Sequence, residues 1–137
     1  MSMFGALNIS ASGLSAERLR MDVIAGNIVN SKTTRTENGE AYRRKIAVFE
    51  EYIDRSGGNL KTSGIKANQI IEDNAPLKRI YEPNHPDADE TGYVTMPNVD
   101  VLTEMIDLMV ASRSYEANVT AVNASKAMYM KALEIGR

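Results

Sequence analysis

The residues best equipped for chemistry lie together in Asn84-His85-Pro86-Asp87-Ala88-Asp89-Glu90-Thr91-Gly92-Tyr93-Val94, which carries the only histidine of the chain. Read from Asp87, the order Asp-x-Asp-x-Thr-Gly-x-Val follows the first eight positions of a calcium-binding helix–loop–helix, with Gly92 at the sharp turn and Val94 at the apolar eighth position. The pattern breaks where binding demands most. Its twelfth position is Asn98 rather than a bidentate Glu, its eleventh is Pro97, and Pro83 and Pro86 stand where a preceding helix should be. His85 beside Asp87 or Glu90 could form a base with an orienting carboxylate, but hydrolysis also needs a nucleophile and an oxyanion site, and no Gly-x-Ser-x-Gly frame accompanies it. Gly57-Gly58 lacks the Gly-Lys-Ser/Thr that would complete a phosphate loop. The cluster of His85, Pro86, Asp87, Asp89 and Gly92 is therefore read as a turn stapled onto the following helix. No catalytic residue, metal-ligand set or cofactor is expected, and a calcium-binding module using residues 87–98 is the alternative.

Composition narrows the classes further. The 137 residues suit one domain, and 16 Lys+Arg against 18 Asp+Glu leave a formal charge of −2, too little positive field to attract nucleic acid. Without cysteine, disulfides, thiolate zinc sites and cysteine nucleophiles are excluded together. Two Phe, six Tyr, no Trp and eight Met among 43% hydrophobic residues predict a thin, aliphatic core. The first twenty residues carry no charged leader with a continuous apolar run, and no window offers the roughly 18–20 apolar residues of a membrane span. The expectation is a chain without a cleaved signal peptide or a membrane span.

The charged residues divide the chain in three. Residues 1–31 hold only Glu17, Arg18, Arg20 and Asp22, whereas residues 32–98 hold ten basic and eleven acidic side chains and all four prolines. In the first segment Leu7, Leu14, Met21 and Ile28 recur every seven residues beside a row that includes Phe4, which predicts a helix with an a/d seam. Gly13, Gly26 and Arg18 weaken it, Ser2 is a cap candidate, and Asn30-Ser31-Lys32-Thr33-Thr34 reads as its end. The last segment carries a second seam through Val101, Met105, Leu108, Ser112, Tyr115, Val119, Val122, Lys126, Tyr129 and Leu133, opened by Pro97-Asn98-Val99-Asp100 and closed by Gly136-Arg137.

The polar middle reads as strand and loop: Tyr42 to Phe49 with Tyr52-Ile53, Gly64 to Ile71, and Leu77 to Tyr81, with Gly57-Gly58-Asn59 as a turn. Arg43-Arg44-Lys45 reads as a solvated or subunit-facing strand edge, too short for a nucleic-acid patch. The fold class is α+β, mainly α: a helix in 1–31 and a helix in 99–137 packed as one discontinuous antiparallel coiled-coil domain, with 32–98 as a β-rich insertion. That middle contains no third amphipathic helix, so apolar positions on the two seams are left for partner subunits. A cytosolic coiled-coil adaptor would use the same seams.

Specific residues carry a resemblance. Leu19-Arg20-Met21-Asp22-Val23-Ile24-Ala25-Gly26-Asn27-Ile28-Val29-Asn30 with Thr33-Thr34, then Asn98-Val99-Asp100, Glu104-Met105, Arg113-Ser114-Tyr115-Glu116-Ala117-Asn118 and Ala132 to Arg137, resemble the N- and C-terminal motifs of the bacterial flagellar axial proteins. His85-Pro86-Asp87-Ala88-Asp89 and Gly92-Tyr93-Val94 resemble the proximal-rod members of that family. Val29 stands where the family motif usually has Ala. The resemblance implies a non-enzymatic subunit of the basal-body rod in the periplasmic space, transmitting torque, exported by the flagellar type III apparatus and partnered by other rod proteins and copies of itself. It implies too that the terminal segments order on assembly. Asn27 and Asn30 are expected to order the loop exit or an intersubunit contact, because an unpaired buried amide costs about 1–3 kcal/mol.

Overall fold

Six elements follow one another along the computed structural model, which describes residues 3–54 and 61–136, and within them the side chains of residues 5–53 and 64–136. The expected cap at Ser2, the turn at Gly57-Gly58-Asn59, the final Arg137 and the Phe4 side chain lie outside these limits. The elements are α1 (Met3–Val29), β1 (Lys45–Asp54), β2 (Lys61–Glu72), β3 (Lys78–Tyr81), β4 (Tyr93–Met96) and α2 (Val101–Ile135).

Local chemistry sets the helix ends. After Val29 the Asn30 N–H still bonds the Gly26 carbonyl, while the Asn30 side chain donates to that same carbonyl and accepts from the Thr33 hydroxyl, so the short polar run closes the helix by occupying its last acceptors. At the start of α2, Asp100 accepts from the Thr103 hydroxyl at 2.6 Å and from backbone N–H groups of the first turn, which holds its carboxyl below the usual range. Over 35 residues α2 runs about 53 Å at 1.5 Å per residue.

The strands differ from the sequence reading in bounds and in number: β2 runs from Lys61 to Glu72 rather than from Gly64 to Ile71, and β3 starts at Lys78 rather than Leu77. β1 begins at Lys45 rather than Tyr42, because the N–H groups of Tyr42 and Arg44 are drawn to Thr33 and Asn98 instead of a ladder. β4 takes Tyr93 and Val94 from the end of the turn cluster and runs on to Met96, where the sequence predicts no strand; it pairs antiparallel with β3, Lys78 opposite Met96 and Tyr81 opposite Tyr93. Gly92 makes the tight return with φ +81°, and a Cβ there would stand 2.8 Å from the Tyr81 ring, which packs edge-on to Tyr93. β1 and β2 form a separate two-stranded sheet.

The chain forms two compact units. One comprises the described parts of Met1–Met21, Ala47–Gln69 and Met109–Arg137; within it Asn118 of α2 approaches Gly13 of α1 to 3.0 Å of where a Cβ would be, and Ala16 and Ala111 are buried. Here β2 rests on α1: Ser12 Oγ donates to the Ile9 carbonyl and accepts from the Ile65 N–H, directly beneath Gly64. The other unit comprises Asp22–Ile46 and Ile70–Leu108, and its core is Ile24, Ala41, Val94 and Val99 with the buried polar pair Asn27 and Glu104. Later positions on α1 thus meet earlier positions on α2, and the two long helices pack antiparallel. The fold is α+β, with a β-containing middle between them.

Candidate functional site

Two amides and an ion pair tie the exit of α1 to the start of α2. Asn27, 1% exposed, donates from Nδ2 to the Lys45 carbonyl at 2.9 Å and to Glu104 Oε2 at 3.0 Å. Its Oδ1 accepts from the Lys45 N–H and the Tyr42 hydroxyl, both at 2.9 Å, so both donors and both lone pairs of the amide are used. Glu104, also 1% exposed, turns its other oxygen to Arg44 Nε at 2.6 Å. The Arg44 guanidinium continues toward Asp73 at 3.6 Å and Asp107 at 3.8 Å. Partial burial works to lower the Arg44 pKa, but the hydrogen bond and charge of Glu104, with Asp73 and Asp107, more than offset it and leave the pKa raised. Burial, then the Glu104 and Glu72 charges, push the Tyr42 hydroxyl up, so it stays a donor.

Asn98 serves the same segment from the other side. Its Oδ1 accepts the Arg44 N–H at 2.8 Å, and its Nδ2 donates to the Asp73 and Ala75 carbonyls. The segment leaving α1 is therefore held by one amide from each helix boundary. This junction positions backbone; it presents no nucleophile and no open polar site.

Asn27 and Asn30 thus have separate tasks, the first reaching across the unit and the second closing its own helix. Thr33 bonds Asn30, and Thr34 donates to Asp87 at 2.7 Å, joining residues 53 apart in sequence. In the turn cluster, His85 Nδ1 accepts the Asp87 N–H at 3.1 Å, so the ring completes a turn. Asp89 accepts from the Thr91 hydroxyl, the Thr91 and Tyr93 N–H groups and Arg79. The Thr91 hydroxyl bond, then that of Tyr93, hold the Asp89 carboxyl down to about 2. One oxygen of Asp89 is taken up by its own turn and its other by Arg79, while Asp87 is taken up by Thr34, and among the described residues no group of three His, Asp or Glu side chains is placed to hold a metal ion. Likewise no described helix is long and apolar enough to cross a membrane.

Of the expected interface positions, Leu7, Leu14, Met21 and Ile28 on α1 and Leu108, Tyr115, Val119, Val122 and Tyr129 on α2 are half-buried. Val101, Met105 and Leu133 are exposed. Glu116 pairs with Arg113 at the surface, and Asn118 faces Gly13. The most buried positions of α2 are Glu104 and Ala111, which a search for large apolar side chains passes over. Arg44 is a correction: it is no solvated edge residue but turns inward to Glu104. The signal in the sequence is Glu104 with Asp107, two acids set among Leu102, Met105, Ile106 and Leu108, for which a basic partner is required where one of them is buried.

Comparison with known proteins gives matching results at both ends. Residues 7–35 match the family described as flagella basal body rod protein, and residues 90–135 that described as flagellar basal body rod FlgEFG protein C-terminal. The flagellar basal-body rod protein FlgC of Bacillus subtilis (strain 168) is 47% identical over all of both chains. Proteins of the same name are 42% identical over all of both chains in Salmonella typhimurium and 40% identical over 98% of each in Borreliella burgdorferi.

Proposed function

This chain belongs to the flagellar basal-body rod protein family, and on that footing we propose how its geometry serves the rod. It is a structural rod subunit of the flagellar basal body. The observation that carries this is identity of 40–47% with FlgC proteins along essentially the whole chain. The terminal helices, residues 1–31 and 99–137, act as one assembly domain, and residues 32–98 form the outer insertion. Support comes from the Asn27–Glu104–Arg44 junction, where one buried network sets both helix boundaries and the first strand against each other.

A torque-bearing part needs helices that do not slide along one another. Directional hydrogen bonds at a buried amide oppose such sliding more strongly than aliphatic contact, because a one-residue slip would leave Asn27, Lys45 and Glu104 unsatisfied together. The subunit works without catalysis. Its apolar helix surface is completed by other rod proteins and by copies of itself, in the periplasmic section of the basal body, after export through the flagellar type III apparatus.

Deleting the chain and imaging basal bodies tests the reading: rods should be absent or truncated, and rods of normal form would remove it. Asn27→Ala with Asn30→Ala should also prevent rod assembly, and ordinary swimming of that strain would show that the junction is dispensable.

A further inference from the structure

Each long helix presents a second face that stands exposed among the described residues. On α2, Leu102, Met105, Ile106 and Met109 are 69%, 52%, 53% and 68% exposed. At 100° per residue Met109 stands about 140° round the helix from buried Glu104, and Arg113 about 180°. On α1, the outward positions are Arg18, Asp22, Ala25 and Val29, all exposed, Val29 to 80%. A β-branched residue that open at the end of a helix is left without packing inside the chain.

The two faces match in charge and in size when read in opposite directions. Down α1 the order is cation, anion, small, apolar: Arg18, Asp22, Ala25, Val29. Up α2 from its middle the order is anion, cation, large, apolar: Glu116, Arg113, Met109, Met105. Both series run over eleven residue steps, from 18 to 29 and from 116 to 105, about three helical turns. Laid antiparallel, Arg18 meets Glu116, Asp22 meets Arg113, the Met109 thioether covers Ala25, and Met105 covers Val29. A parallel arrangement sets charges on methionines. Arg18 and Asp22 make no ion pair among the described residues, and the Arg113 and Glu116 side chains bond each other at the surface. Both faces lie away from the seam in which α1 and α2 meet, so one chain cannot satisfy them alone.

We propose that the outward face of α2 in one copy of this chain packs antiparallel on the outward face of α1 in a second copy, with Asp22–Arg113 and Arg18–Glu116 as its ion pairs. The proposal rests on the rod-subunit reading and names the partner and the faces for it. Because the two faces differ, the contact is heterologous: each added copy leaves one face of either kind free, which suits open assembly rather than a closed dimer.

Charge reversal in the full-length chain tests the pairing. Asp22→Arg alone and Arg113→Glu alone should each lower incorporation into basal bodies roughly tenfold or more, since like charges then face each other. Combining them should restore incorporation and swimming. A second measurement uses the absence of native cysteine: Ala25→Cys with Met109→Cys should give a ladder of disulfide-linked copies on oxidising isolated basal bodies, and each single variant no ladder. A double reversal no better than the singles, a chain that stays monomeric in oxidised rods, or an adduct with the mass of a different rod protein would each overturn the proposal. Those failures leave the rod role intact, since rods containing the unmodified chain still form; only normal rods in the deletion strain would remove that.

Discussion

At the scale of single residues, the molecule concentrates its polar chemistry in a few inward-facing groups. Asn27→Ala withdraws two donors and an acceptor at once from Lys45, Tyr42 and Glu104, and is expected to destabilise the chain by about 2–3 kcal/mol in urea unfolding. Arg44→Leu should be worse, about 3–5 kcal/mol, because Glu104 would keep its charge in a buried position without its main partner. Arg44→Lys should recover little of this, since an ammonium lacks the forked donors that reach Glu104, Asp73 and Asp107 from one plane. Asp89 gives a pH dependence of known sign. Its folded pKa of about 2 lies below the ordinary 3.8, so its bonds to Thr91 and Tyr93 contribute fully above the ordinary value and are lost as pH falls toward 2. Amide exchange at Tyr93 should stay slow at pH 5 and quicken between pH 4 and 2; protection unchanged through that window would contradict the assignment.

At the scale of elements, three glycines that look alike in sequence behave differently. Gly26 has open space where a Cβ would go, so Gly26→Ala should stabilise the first helix by about 0.5–1 kcal/mol through the unfolded chain alone. At Gly13 a Cβ would sit 3.0 Å from the Asn118 amide, which must move aside, and the same gain should largely vanish. Gly64 is different in kind. Its φ of +130° and a Cβ position 2.1 Å from Ser12 Oγ make Gly64→Ala destabilising by about 1–3 kcal/mol, by loosening the second strand from α1. Thermal unfolding of the three variants side by side should rank them in that order. Heptad spacing foretold both helices, the polar run from Asn30 the end of the first, and Pro97-Asn98-Val99-Asp100 the start of the second. It could not tell Gly26 from Gly13, because that distinction lies in what the opposite helix brings to each position.

At the scale of the whole molecule, the apolar surface exceeds what the chain can cover. Among the described side chains Met105, Met109, Met128 and Met130 are exposed, and α2 ends with Leu133 and Ile135 at 60% and 86% exposure. Such a helix is expected to gain stability on assembly, where flexible thioether side chains can adapt to neighbours of differing shape. Circular dichroism of the dilute chain should show less helix than α1 and α2 together would give, with the remainder appearing on co-assembly with rod proteins. A cytosolic adaptor would be fully helical alone. Sequence by itself determined the two helices, the β-containing middle and membership of the rod family, since heptad periodicity, proline placement and terminal motifs are local and survive without coordinates. It also marked Asn27, Thr34, Asp87 and Asn98 as notable, but not their partners. Only tertiary structure decided that Arg44 turns inward, that Glu104 and Ala111 rather than the larger side chains line the most buried row, and that Tyr93 to Met96 is a strand. Each of these depends on groups dozens of residues apart meeting in space, where desolvation makes an unpaired charge or amide costly, and no local spacing records which group will answer it.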